Sequence, residues 1–208
     1  MAIDNNNLEI QMESYFTSNI YTCYIPNWLK ELNKYSNKYI REIRKENLKD
    51  KKIDFGFSHC SYTLLGDNDF TILADFIKGV SKDILIQQGY DLSRKEVKLN
   101  DFWVQEFAKK GGGHQSYHVH PSNHISGFYF LKCSENTSYP IFEDPRPGKV
   151  MTDLQEINSS DITVSTHKVF YKPKPGTLML FNSYLPHHFA VDHGIDPFRF
   201  IHFNLSAV

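Results

Sequence analysis

Long hydrophobic runs are missing. No stretch approaches the roughly 20 consecutive apolar residues that a membrane-spanning helix needs, and the opening MAIDNNNLEI has neither the basic start nor the apolar centre of a secretion signal. A cytoplasmic location with no membrane partner is therefore expected. Cysteine is scarce as well. Cys23, Cys60 and Cys133 are three in 208 residues, an odd number with no C-x-x-C pair, which excludes a disulfide framework and a zinc knuckle. Nor does charge of one sign dominate. A formal net charge of −1 supplies no global field for nucleic acid or for an anionic membrane. Repeats, low-complexity tracts and long linkers are absent, so one domain over residues 1–208 is expected.

Apolar material is plentiful by contrast: 40% of residues are hydrophobic and 14% aromatic, enough to bury a substantial core. After Pro26, apolar residues at Trp28, Leu32, Tyr35, Tyr39 and Ile43 recur every three or four positions, which predicts an amphipathic helix ending near Asp50. A second helix is predicted to start at GDND, with Asp67 or Asn68 as its cap, and to run to Gly89 with Phe70, Leu73, Ile77, Val80 and Ile84 as its buried stripe. From Val97 the pattern changes to short aromatic and β-branched segments. The candidate strands are KLNDFWVQEF, ISGFYFLK, SYPIFE, ITVSTHKVFY, TLMLFN, HHFAV and FRFIHFNL, joined by connections such as GGG at 111–113 and KPKPG at 172–176. The expected fold is mainly β, a sandwich or barrel at 97–208 braced by N-terminal helices within 1–96. Those helices could instead serve a substrate lid or a homodimer interface.

Nine of the ten histidines follow residue 113. In YHVHP, His118 and His120 are two apart, so on a strand both imidazoles would aim at one point, a chelating geometry. A third ligand is available from His187 or His188 on a distant predicted strand. Three imidazoles on one side of an ion leave the opposite positions open, as catalytic sites require, and suit iron, zinc, copper or nickel. Taken singly, His114, His124, His167, His193 and His202 read as structural residues or as neighbours of the ligands.

An ordered series of motifs, FWVQEFAKKGGGHQSYHVHPSNHISGFYFLK, FEDPRPG, PGTLMLFNSYLPHH and RFIHFN, resembles the iron(II)- and 2-oxoglutarate-dependent oxygenases, in particular a small bacterial and phage branch. The resemblance covers roughly 97–208 and implies a double-stranded β-helix, or jelly roll. It also implies Fe(II), 2-oxoglutarate and O2, and a hydroxylation that yields succinate and CO2. By position, His118 is the first ligand and His187 the distal one. His120 takes the middle place, where the wider family carries Asp or Glu. Asp144 in FEDPR is the one nearby carboxylate to weigh against His120, its other reading being a turn residue paired to Arg146. Arg199, twelve residues beyond His187, takes the position of the arginine that grips the distal carboxylate of 2-oxoglutarate. It is expected to enter the barrel on the face shared with Ile201 and Phe203. Gln105 and Ser126 are candidate contacts of the keto acid, and Phe128, Phe130 and Phe203 candidate walls or core.

The substrate class is left at a small molecule or a protein side chain, with nucleic acid disfavoured by the charge. Two rival readings remain. One is a cupin-like three-histidine dioxygenase or isomerase that does not use 2-oxoglutarate. The other is a non-enzymatic jelly-roll binding or virion protein.

Overall fold

The computed structural model describes residues 11–151 and 154–208, so the opening MAIDNNNLEI, on which the expectation of no leader rests, lies outside the described residues. In chain order the elements are β1 (Ile20–Tyr24), α1 (Leu29–Asn47), β2 (Ser58–Cys60), α2 (Thr71–Gln87), β3 (Val97–Phe107), β4 (Gln115–His118) and β5 (Ile125–Lys132). There follow β6 (Pro140–Glu143), the short α3 (Pro147–Val150), β7 (Lys168–Phe170), β8 (Thr177–Asn182), β9 (His187–Phe189) and β10 (Arg199–Ala207).

Both long predicted helices form. A single tight turn at Pro26–Trp28 leads into α1, where the fixed φ of proline suits a first turn. Leu32, Ser36 and Ile40 are its buried line, one helical turn apart. The Asp67 carboxylate caps the approach to α2 by accepting the Asp69 amide at 2.9 Å. At the other end Gly89 adopts φ +91, and the Tyr90 amide reaches back to the Leu85 carbonyl at 3.0 Å. This is the left-handed closure that glycine permits.

The strands pair antiparallel in two sheets, ordered β1-β8-β5-β10-β3-β2 and β4-β9-β6-β7. Alternation along each strand sorts side chains to opposite faces. From β10, Ile201, Phe203 and Leu205 join Val104, Tyr129, Leu180 and the buried residues of α1 and α2. Phe198 and Phe200 instead join Phe128, Phe130, Phe142, Phe181 and Phe189. The first group lies between the six-stranded sheet and the helices, and the second lies between the sheets. Gly127 of β5 is fixed by this packing, because a Cβ there would fall 2.2 Å from the Met179 carbonyl oxygen and 2.5 Å from the Phe203 ring.

Three strands escape the sequence pattern. β1 is an edge strand whose IYTCY lacks clean alternation, β2 has only three residues, and β4 is short and polar. The predicted strand ITVSTHKVFY is realised only over Lys168–Phe170. Ile162 and Val164 are exposed, and Thr166 accepts the Thr163 amide and donates to the Asp161 carbonyl. These local bonds occupy the backbone in place of a ladder.

Candidate metal centre

The four-stranded sheet builds the centre. β4 and β9 place His118 directly opposite His187, and β6 sets Phe142 on the other side of His187. β4 ends at His118, so His120 does not belong to the strand as expected. The backbone amide of His120 instead donates to the Ser183 carbonyl at 2.9 Å, and this anchor returns its ring to the cluster. The ring centroids are 4.4 Å apart for His118 and His187, 4.8 Å for His118 and His120, and 5.1 Å for His120 and His187. One nitrogen from each of the three lies within 4.8 Å of the other two. The Nε2 atoms of His120 and His187 are 3.3 Å apart.

Two of the three rings are oriented from behind. His118 Nδ1 lies 2.6 Å from the Ser116 carbonyl oxygen and His187 Nδ1 lies 3.0 Å from that of Leu185. A carbonyl oxygen can only accept, so each Nδ1 carries a proton and Nε2 is the nitrogen left to face the centre. Burial is the main cause that pushes His187 down to about 3, and neighbouring imidazoles add to it. Burial, then the nearby His118, lowers His120 to about 4. Neutral imidazole is the form that binds a metal. His187 is enclosed by the rings of Phe181 at 4.7 Å and of Phe128 and Phe142, both at 5.8 Å. His118 and His120 are only partly buried, so the open side of the centre lies with them.

The choice between His187 and His188 is decided by alternation. His188 lies on the other face of β9, half-buried, with its Nε2 3.3 Å from Glu143. Asp144 stays out of the cluster. Its carboxylate accepts from Arg146 Nε at 2.9 Å, Arg146 Nη2 at 2.6 Å and the Arg146 backbone amide at 3.0 Å, which is the turn reading.

The expectation for Arg199 needs correction. It does share a face with Ile201 and Phe203, but that face meets the helices and not the barrel interior. Its Nε donates to Glu106, and its Nη1 to Ser36 Oγ at 2.9 Å and to Asn37 Oδ1 at 2.7 Å, both on α1. A second arginine, Arg44, reaches the same Glu106 at 2.6 Å. The anion that a buried arginine demands is thus supplied by the protein. Gln105 pairs with Phe200 on the inner face, but its amide bonds run to Ser58, Gln115 and Trp103. Ser126 bonds to Asn204 Oδ1 at 2.7 Å and Ser183 Oγ at 2.8 Å.

His202, read from the sequence as structural or as a neighbour of the ligands, lies beside the cluster. His202 is 3% exposed on the inner face of β10, with its ring 4.8 Å from that of His120 and 4.2 Å from that of Trp103. Burial holds it far below the usual imidazole range, and its buried Nε2 has no hydrogen-bond partner. The available signal was its separation of three from Arg199, which places the two on opposite faces.

Two facing antiparallel sheets with a three-imidazole cluster able to hold a metal ion define a jelly-roll protein with a candidate metal centre. The particular family is shown by its sequence profile, described as "Putative 2OG-Fe(II) oxygenase", which matches residues 101–204. The chain belongs to that family and is a 2-oxoglutarate-dependent iron(II) oxygenase whose cofactors are Fe(II), 2-oxoglutarate and O2. Solved structures of the same fold include AviO1 from Streptomyces viridochromogenes Tue57, with a TM-score of 0.62 at 9% identity over 91% of this chain and 90% of that one. EctD from S. alaskensis in its apoform gives 0.60 at 13% identity over 91% and 73%. The viral collagen prolyl hydroxylase vCPH from Paramecium Bursaria Chlorella virus-1, in a 2OG complex, gives 0.53 at 13% over 90% and 96%. Identities this low show the fold alone. No curated protein matches the sequence.

Proposed function

We propose that the chain hydroxylates a small molecule or a protein side chain, converting 2-oxoglutarate and O2 to succinate and CO2, with iron(II) held by His118, His120 and His187. The observation that carries this reading is the convergence of three imidazole nitrogens, one from each ring, within 4.8 Å of one another. Three nitrogens on one side suit a borderline metal and leave positions for keto acid and oxygen. When bound, the iron supplies the oxygen-activating chemistry, and the protein's part is orientation and exclusion of water.

The Ser116 and Leu185 carbonyls hold two ligand rings in the metal-binding tautomer. Phe128, Phe142 and Phe181 keep water from the back of His187. With His120 in place of a carboxylate, the ligand set carries no negative charge, which alters the metal's potential relative to a carboxylate-bearing site.

The test is anaerobic reconstitution with iron(II), followed by titration with 2-oxoglutarate while the weak visible charge-transfer band of the chelate is recorded. The wild type is expected to develop the band and His187→Ala to lack it. Metal uptake without any band would move the chain to the three-histidine enzymes that act without a keto acid. Failure to take up metal would overturn the ligand assignment.

A further inference from the structure

The co-substrate is a dicarboxylate, yet among the described residues no lysine or arginine of the buried class turns to the inner wall. Among the described residues Arg199 is the one lysine or arginine in the buried class, and its guanidinium is taken up by Glu106, Ser36 and Asn37 on the far side of the sheet. The inner face of β10 runs Phe200, His202 and Asn204, and its neighbours on β5 are Phe130, Phe128 and Ser126. Within that wall Asn204 and Ser126 bond to each other, with Asp101 and Ser183 at the two ends of the chain of contacts. His202 differs. Its ring is buried between Trp103, Phe128 and His120, and its Nε2 meets no acceptor or donor. A buried polar atom without a partner is uncommon and calls for one.

We propose that His202 is a positioning residue for the co-substrate: its Nε2 donates a hydrogen bond to a carboxylate oxygen of the keto acid bound at the histidine centre. This rests on the oxygenase reading and adds to it that the keto acid is gripped by a neutral donor where Arg199 was expected to reach. A neutral imidazole presents one N–H, and in the tautomer with that proton on Nε2 it matches a carboxylate oxygen and spares the apolar wall a buried cation.

The test uses protein loaded with zinc(II), so that binding is read without turnover. 2-Oxoglutarate is titrated by calorimetry into the wild type, His202→Phe and His202→Gln, with metal stoichiometry measured for each. In His202→Phe the metal content is expected to stay at the wild-type value while the Kd rises about tenfold, as for loss of a hydrogen bond to a charged acceptor. His202→Gln, which keeps an N–H donor, is expected to recover part of that affinity. An unchanged Kd in metal-loaded His202→Phe overturns the inference and makes His202 a packing residue. Loss of metal from a folded His202→Phe overturns it in favour of a fourth ligand. In the wild type, nitrogen NMR of the histidines should show the His202 Nε2 resonance moving when 2-oxoglutarate is added. An unmoved resonance rejects the inference even if the variants fail to fold. A wild type that binds metal but no keto acid defeats the oxygenase reading itself, a result separable from equal binding by wild type and variant.

Discussion

Arg199 and His202 stand three positions apart on β10, and that odd separation decides what each does. Arg199 turns to the helices and closes an ion pair with Glu106, which Arg44 also binds. Removing one member of a buried pair costs about 3–5 kcal/mol when the other charge is left without compensation, and here Arg44 still reaches Glu106. Arg199→Met should therefore lower the unfolding free energy in urea denaturation by less than that full amount. Under native conditions its affinity for 2-oxoglutarate should equal that of the wild type. An affinity loss of about tenfold or more in the folded variant would return Arg199 to the role of anchor. The proposed ligands stand on the other side of this comparison. His118→Ala or His120→Ala should reduce bound iron(II) well below one per chain while the protein stays folded, measured by metal analysis after gel filtration.

At the scale of elements, legibility followed the strength of the local pattern. The helices could be read because apolar side chains recur with the helical period and because Asp67 and Gly89 mark two of the ends. ISGFYFLK and TLMLFN matched β5 and β8 residue for residue, since continuous apolar runs bounded by turn residues suit strands buried on both faces. β1 and β2 carry no such signal, because strands at a sheet edge are specified by their neighbour's free backbone groups rather than by their own composition. The same limit hid the orientation of Arg199. Alternation showed that it shares a face with Ile201 and Phe203, but only the packing of α1 and α2 shows which face that is. The histidine pair was legible from spacing, whereas the return of His120 to the cluster depends on its bond to Ser183 beyond the end of β4. If α1 and α2 serve as a brace on the sheet, damage to their contact should cost stability and leave the centre intact. Ile77 is fully buried at that contact. Ile77→Ala is expected to destabilise by about 2–5 kcal/mol in chemical denaturation, with wild-type iron(II) stoichiometry at 4 °C. Loss of metal in the folded variant would mean that the helices shape the site.

For the whole molecule, the six-stranded sheet separates two interiors of different character: a phenylalanine-lined barrel that ends in histidines, and a helix-facing layer with a charged network at one edge. That network should govern acid stability. Burial alone would raise the Glu106 carboxyl, but the charge and hydrogen bond of Arg199, followed by those of Arg44, outweigh it and hold the group below its usual range. Asp54 is held down in the same way, with burial opposed by the His59 hydrogen bond and by Arg44. Lys132 is lowered by burial and then by the charge of Arg199, with the charge of Glu106 opposing. For a carboxyl whose folded pKa lies below its unfolded value, the folded state binds fewer protons. Its contribution is complete above the unfolded pKa of about 4.3 and is lost as pH falls through the folded value. Glu106→Gln keeps the shape but removes this charge, so it should be less stable than the wild type at pH 7. The difference should shrink as the pH drops below about 4.3, because the wild type then surrenders the same charge. Paired urea melts of metal-loaded protein at several pH values read this directly. A gap of constant size from neutral to acid would show that the arginines do not hold Glu106 as a carboxylate, and that the helix-facing layer owes its acid lability to other groups.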